Sequence, residues 1–141
     1  MLGLADSAYL AYEHYTASAT LACSESGAVN CLRVTTSPQS VMFGVPLPVF
    51  GLLFFVVMTV LCLPVMWRAG PAVSRIRMVG AVVGVLSVLY LVYVELFQIG
   101  AICLYCTGVH ILSILLFVIV LFASALAPTG AGDRPASQVR G

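Results

Sequence analysis

Two cysteines three residues apart, Cys103 and Cys106, stand at the head of an apolar stretch that runs from about Ile102 to Leu126, and His110 follows four residues later. Positions i, i+3 and i+7 share one face of an α-helix, so the two thiols and the imidazole are expected to form one stripe. A thiol at the positive end of a helix is stabilised as the thiolate that attacks disulfides. This Cys-x-x-Cys pattern therefore indicates thiol redox chemistry. The alternative is two small side chains packed in an apolar helix.

A second pair of cysteines, Cys23 and Cys31, lies earlier in the chain in a polar segment. Gly27 and Asn30 lie between them and favour a turn that lets this segment fold back on itself. Considered alone, the pair favours a permanent disulfide that staples the loop. Considered with the first pair, it offers a mobile dithiol for exchange. The fifth cysteine, Cys62, is surrounded by Leu, Val and Pro and is expected to be a packing residue.

The composition is that of an integral membrane protein. The chain is 62% hydrophobic and only 8% charged, whereas soluble domains average about 25% charged residues. The net charge of +1 argues against a nucleic-acid-binding surface. Three apolar ranges are each near the roughly 20 residues that cross a bilayer: Pro46 to Trp67, Met78 to Phe97 and Ile102 to Leu126.

A fourth helix is expected at the start of the chain, where Asp6 and Glu13 interrupt an apolar segment. The 12 residues before Glu13 make about 18 Å of helix, against a hydrocarbon core of about 30 Å. We expect the helix to begin upstream of Met1; the alternative is that both carboxylates have partners inside the bundle.

The predicted fold is all-α, a bundle of four transmembrane helices with an extracytoplasmic loop that contains cysteines. Ser37 and Pro38 resemble an N-cap followed by proline, which predicts a short half-helix through Phe43. Residues 1–126 are expected to form the membrane domain, and the Pro/Gly-rich residues 127–141 a disordered cytoplasmic tail.

The arginines predict the orientation in the membrane. Arg33 lies in the cysteine loop, whereas the connector between the second and third spans and the tail hold five arginines, Arg68, Arg75, Arg77, Arg134 and Arg140. The positive-inside rule places this connector and the tail in the cytoplasm, and four spans, an even number, put the N-terminus there as well. In a bacterium the membrane is the inner (plasma) membrane. Both cysteine pairs then face the oxidising outer side, where disulfides form.

The third span holds glycines, tyrosines and a glutamate whose positions suggest how it packs and where it meets the membrane surface. Gly80 and Gly84 predict a close helix approach, and Tyr90 and Tyr93 are expected at the membrane interface. Glu95 lies near the outer boundary, where we expect a hydrated carboxylate; a proton relay is the alternative.

Two thiol pairs on one side of a membrane define a relay, in which a partner reduces one pair and exchange passes the electrons to the other. No haem, flavin or nicotinamide motif is present in the sequence. The apolar bundle suits a membrane-soluble acceptor, for which a quinone is the obvious choice. His110 is placed to hydrogen-bond a quinone carbonyl or to move a proton; the alternative is an imidazole satisfied within the bundle.

The order of motifs resembles the bacterial branch of the vitamin K epoxide reductase family. The resemblance covers residue 3 to about 126 and rests on five motifs: Gly-Leu-Ala-Asp-Ser-Ala-Tyr-Leu-Ala-Tyr-Glu-His at 3–14, the cysteines at 23 and 31, Arg-Val-Thr-Thr-Ser at 33–37, Phe-Gly-Val-Pro-Leu-Pro-Val-Phe-Gly at 43–51, and Cys-x-x-Cys-x-x-x-His at 103–110. It implies a four-helix bundle around a quinone, either menaquinone or ubiquinone. The candidate quinone-binding residues are Ser37, Phe43, Tyr105 and His110.

The resemblance also implies a role for each thiol. Cys106 would face the quinone, Cys103 would be its exchange partner, Cys31 would exchange with Cys103, and Cys23 would meet the redox partner. That partner would be a separate extracytoplasmic thioredoxin-fold protein, and the reaction would support disulfide formation in exported proteins.

The sequence departs from the family pattern at three points. The first helix is short, and His110 stands where the animal enzymes have a tyrosine. Apolar residues around Leu47 replace an asparagine of those enzymes, so vitamin K epoxide is not the expected substrate.

Two other functions compete with this one. Thiolates and His110 are soft-metal ligands, so the chain is alternatively a metal-binding or metal-transport membrane protein. The second alternative is a structural membrane subunit with a stapled loop.

Overall fold

The computed structural model describes residues 2–16 and 27–126. Cys23 and the predicted disordered tail lie outside these residues. In chain order the elements are α1 (Leu2–Thr16), α2 (Cys31–Thr35), a 3-10 turn (Pro38–Ser40), β1 (Val41–Met42), β2 (Val45–Pro46), α3 (Leu47–Leu61), α4 (Pro64–Trp67), α5 (Pro71–Tyr93), a π-helical segment (Val94–Ile99) and α6 (Leu104–Leu126).

Four helices pack side by side within the described residues. α1 contacts α3 and α6, and α5 contacts α3 and α6, so the four form a closed ring. Within the described ranges, Pro71–Ile99 and Leu104–Leu126 are long and apolar enough to cross a membrane, and α3 is a shorter apolar helix. The fold is therefore predominantly helical, as the sequence predicts.

Two glycines allow α5 to approach α3 closely. A Cβ on Gly84 would lie 2.6 Å from Cζ of Phe54, and one on Gly80 would lie 3.0 Å from Sδ of Met58. Both distances are shorter than van der Waals contact, so neither position has room for a larger side chain without movement of its neighbour. The predicted use of this Gly-x-x-x-Gly pattern is confirmed.

The second predicted span is broken rather than continuous to Trp67. α3 ends at Leu61, and a new short helix, α4, begins at Pro64. Proline lacks the N–H that a continuous helix requires and disfavours a helical conformation in the residue before it, Leu63, which has ψ 145°.

The third span also begins earlier than predicted. α5 starts at Pro71, so Arg75 and Arg77 belong to the helix and not to a connector. Arg77 is buried at 2% exposure; its Nη1 donates to the Leu61 carbonyl at 3.3 Å, and its guanidinium lies 3.5 Å from the centre of the Trp67 ring. A cation at the carbonyl end of α3 is favoured by the helix dipole.

The predicted half-helix through Phe43 is wrong. Its helical part is limited to the 3-10 turn Pro38–Ser40, and the chain then forms the antiparallel pair β1–β2. Phe43 and Gly44 make the turn between the strands with φ of 54° and 80°. Such left-handed values end a helix, and Gly44 adopts them without steric cost. Ser37 is not a side-chain cap, because its hydroxyl donates to the Val34 carbonyl at 2.7 Å.

The π-helical segment joins α5 to the turn that precedes α6. It ends at Ile99, and the next residue, Gly100, has φ 65° and donates its N–H to the Glu95 carbonyl at 2.9 Å. Helical structure thus continues to Ile99, beyond the predicted end at Phe97. This arrangement brings the C-terminal end of α5 against the start of α6.

Candidate thiol redox site

Cys103 immediately precedes α6, and Cys106 lies in the first turn of that helix. The backbone N–H of Cys106 donates to Sγ of Cys103 at 3.3 Å, and the Cys103 carbonyl accepts the N–H of Thr107 at 2.9 Å. Cys103 thus occupies the place of a side-chain N-cap, with its sulfur as the acceptor. Both cysteines are free thiols, as dithiol chemistry requires.

The environment of Cys103, which lies just outside the span Leu104–Leu126, favours its thiolate. The pKa of Cys103 lies below its ordinary value of 9.0, chiefly because the Cys106 thiol donates a hydrogen bond to its sulfur. The Cys106 backbone N–H acts in the same direction, while burial opposes both. A lowered thiol pKa is the usual property of an exchanging cysteine.

Cys31 is brought to Cys103 by a short backbone pairing. Val29 and Ile102 form a parallel bridge, in which the Asn30 N–H donates to the Ile102 carbonyl at 3.1 Å. Asn30 also caps α2, because its side-chain oxygen accepts the Arg33 N–H at 2.8 Å. Cys31 is the first residue of α2, so these bonds fix its position.

Cys31 and Cys103 belong to one buried cluster, and both are 0% exposed. The cluster includes Val94 and Ile99 of the π-helical segment, and Cys106 packs against it. Cys31 is in a disulfide, whereas Cys103 is free. A disulfide and a free thiol within one buried cluster are the two groups that thiol–disulfide exchange needs.

α1 closes the site from the other side. A Cβ on Gly108 would lie 2.8 Å from Oδ2 of Asp6, so the absence of a side chain there allows the carboxyl group to pack on α6. The rings of Tyr9 and Tyr105 lie 5.2 Å apart, and Glu13 is buried at 8% exposure. Glu13 is therefore buried in the bundle, and Asp6 is half-buried against α6.

A cavity of about 610 Å³ opens beside Cys106, between the 3-10 turn and the ends of α1, α3, α5 and α6. Among the predicted site residues, Cys106, His110 and Ser37 line it. Phe43 is 94% exposed and does not line the cavity; nor does Tyr105, which packs against Tyr9. The remaining free thiol, Cys62, is half-buried against the cluster around Met58.

Two polar residues that line the cavity, Ser7 and Glu95, are not among the predicted site residues. Ser7 is 1% exposed, and its hydroxyl has no hydrogen-bond partner among the described residues. Glu95 is 7% exposed, so the expectation of a hydrated carboxylate is wrong. The only sequence signal for Ser7 is its place in the motif at 3–14. Glu95 lies in the π-helical segment, which the apolar pattern does not predict.

The residues present fit a quinone. Ligand pockets typically measure about 300–1,000 Å³ and are apolar with a few polar groups, and this cavity has that character. The Ser7 hydroxyl, which has no partner in the described part of the chain, and the buried imidazole of His110 are available to donate to carbonyl oxygens. A buried hydroxyl without a partner costs free energy unless a ligand satisfies it.

The metal-binding alternative has no support within the described residues. No group of three or more His, Cys, Asp or Glu side chains in residues 2–16 and 27–126 is placed to hold a metal ion. The observed arrangement instead groups Cys31, Cys103 and Cys106 in and against one buried cluster.

The model of the Vitamin K epoxide reductase family matches residues 1–121, a range that includes every cysteine of the chain. No curated protein matches the chain.

Proposed function

Because the chain belongs to the vitamin K epoxide reductase family, a family of membrane oxidoreductases, we propose that it is a thiol:quinone oxidoreductase that supports disulfide formation in exported proteins. In this proposal α1, α3, α5 and α6 cross the plasma membrane of a bacterium, with both termini in the cytoplasm. The cysteine loop and the start of α6 face outward. The redox partner is a thioredoxin-fold protein on that side.

The position of Cys31 next to Cys103, with Cys106 at the cavity, carries the proposal. The partner dithiol reduces the Cys23–Cys31 disulfide. The Cys31 thiolate then attacks Cys103 within a Cys103–Cys106 disulfide. Cys106 leaves as a thiolate, takes up a proton from solvent and becomes the thiol that faces the cavity. Attack by Cys23 on Cys31 releases Cys103 for the next step.

A quinone bound in the cavity supplies the acceptor for two electrons and two protons. The protein's own residues position it: Ser7 and His110 as donors to its carbonyl oxygens, and Ser37 as a further polar group of the cavity wall. Re-formation of the Cys103–Cys106 disulfide completes the cycle.

Turnover by purified protein tests the proposal. With a reduced thioredoxin-fold donor and either a menaquinone or a ubiquinone analogue, the wild-type protein should form quinol, and the better analogue identifies the acceptor. Cys106→Ser should abolish quinol formation and trap a Cys31–Cys103 disulfide, detected by mass spectrometry. Cys62→Ser is the matched control and should turn over normally. Full turnover by both Cys23→Ser and Cys31→Ser would show that the loop disulfide is merely structural.

Orientation is tested separately in intact cells. After reduction, a membrane-impermeant thiol reagent should label Cys23 or Cys31, because both lie on the outer side in this proposal. Labelling that requires permeabilised cells would reverse the proposed topology.

A further inference from the structure

The carboxyl group of Glu95 is buried beside the reacting thiols. The residue is 7% exposed and lines the cavity together with Cys106. Its carboxyl group interacts with the Cys106 thiol and with the backbone N–H of Cys103. An ionisable side chain at membrane depth is costly, and such residues commonly mark proton or ion pathways.

The backbone around Glu95 is held in an uncommon conformation. The segment Val94–Ile99 is π-helical, and the Glu95 carbonyl accepts the N–H groups of both Gly100 and Ala101, at 2.9 and 3.3 Å. A π-helical turn contains an extra residue and so changes which side chains face inward. Such turns occur often at functional sites, and here the turn presents a carboxylate to the cysteine pair.

We infer that Glu95 is a catalytic residue that accepts the thiol proton of Cys106 when the Cys103–Cys106 disulfide forms. This inference rests on the proposed function. In the full reaction two thiols and one quinone give one disulfide and one quinol, so two electrons and two protons leave the cysteines. The Cys106 proton moves to the Glu95 carboxylate and from there to a quinone oxygen. Cys103 reacts as a thiolate, so its proton has already left to the aqueous side, and the second proton of the quinol comes from that side.

Several titratable groups face this pair. Asp6 of α1 interacts electrostatically with Cys106, but it is only half-buried and packs against Gly108. Cys103 interacts with both members of the pair, and His110 of α6 lines the same cavity. Cys31 of α2 is in a disulfide and does not titrate. Glu95 is the more deeply buried of the two carboxylates and the one that lies in the cavity wall, which favours it as the acceptor.

The experiment measures the reactivity of Cys106 against pH in the absence of quinone. The full-length protein carries Cys103→Ser, so that Cys106 stays a thiol, and N-ethylmaleimide is the probe because it is small and apolar. Peptide mass mapping separates modification of Cys106 from modification of Cys62. Glu95→Gln removes the acceptor while keeping the size of the side chain. Glu13→Gln is the matched control, since it neutralises a buried carboxyl group of α1 elsewhere in the bundle.

With Glu95 present, we expect a pH range in which the rate of Cys106 alkylation does not change. In that range Cys106 and Glu95 share one proton, so the thiolate forms by proton transfer from Cys106 to Glu95. In Glu95→Gln, thiolate forms only by loss of the proton to water, so the rate should rise about tenfold per pH unit up to the thiol pKa. Glu13→Gln should keep the flat range, and Glu95→Asp should restore part of it.

If the protein that retains Glu95 shows a tenfold rise in the alkylation rate of Cys106 per pH unit, with no flat range, the inference is contradicted. This outcome needs no Glu95 variant. Equal profiles with and without Glu95 would contradict it as well. Because the probe reaction contains no quinone, either outcome leaves the quinol assay free to test the proposed function on its own.

Discussion

The Asn30→Ala substitution probes how the loop cysteine is held against Cys103. The Asn30 side chain accepts the Arg33 N–H at 2.8 Å and caps the five-residue helix that begins with Cys31. The backbone bond from the Asn30 N–H to the Ile102 carbonyl does not involve the side chain and is retained in the variant. The substitution therefore removes the cap and leaves the backbone pairing in place.

Loss of such a cap costs about 1 kcal/mol, within a range of about 0.5–2. Because α2 is short, most of this cost should fall on the docked position of Cys31. One kcal/mol corresponds to about a fivefold change in an equilibrium constant. In the Cys106→Ser background we thus expect about fivefold less Cys31–Cys103 disulfide at equilibrium in a glutathione redox buffer.

Acid quenching, alkylation and mass spectrometry quantify this disulfide. Asn30→Asp keeps a capping oxygen and should restore the yield. Thr36→Ala removes a hydroxyl bond to the Leu32 carbonyl at the other end of α2 and should have no effect. If Asn30→Ala leaves the yield unchanged, or if Thr36→Ala lowers it equally, the cap does not position Cys31.

Further substitutions test the packing and the thiols. Gly84→Ala should lower the free energy of unfolding by about 1–3 kcal/mol, and by more than Gly80→Ala does. The reason is that Gly84 faces the ring of Phe54, whereas Gly80 faces the flexible side chain of Met58. Thermal unfolding in detergent measures both variants, and an equal effect would contradict the packing. Arg77→Met should destabilise the protein by about 2–4 kcal/mol, because the hydrogen bond to the Leu61 carbonyl and the contact with Trp67 are lost. Arg75 is exposed, so Arg75→Met should cost little. Similar melting temperatures for the two variants would refute the capping role of Arg77. Cys106→Ala should raise the pKa of Cys103, because the hydrogen bond from the Cys106 thiol that lowers this pKa is lost. The thiolate absorbance should then appear at a higher pH than in the wild type. An unchanged titration would show that this hydrogen bond does not lower the pKa.

The helices and the grouping of the thiols follow from local patterns in the sequence. Long apolar runs predict α5 and α6, and the spacing of Cys103 and Cys106 at the head of α6 places both thiols at one helix end. The glycines of α5 predict its approach to α3 because a missing side chain has a direct geometric effect. These features depend on residues close in sequence.

Features that depend on distant residues are not predictable in this way. Arg77 counts as a cytoplasmic charge in the sequence, yet it is buried because the break at Pro64 brings Trp67 and the end of α3 to it. Ser7 and Glu95 belong to the cavity only because α1 and the π-helical segment both turn a polar side chain toward α6. Phe43 fails as a cavity residue because a left-handed turn directs it outward.

A single turnover of fully reduced protein with quinone, without any partner, tests the central claim most directly. Anaerobic mixing should yield one quinol for each Cys103–Cys106 disulfide formed, with both products quantified in the same quenched sample. Cys62→Ser should give the same stoichiometry, and Cys106→Ser should give no quinol. Quinol formation by Cys106→Ser, or quinol formed by the wild type without a Cys103–Cys106 disulfide, would contradict the assignment of this pair as the donor to quinone.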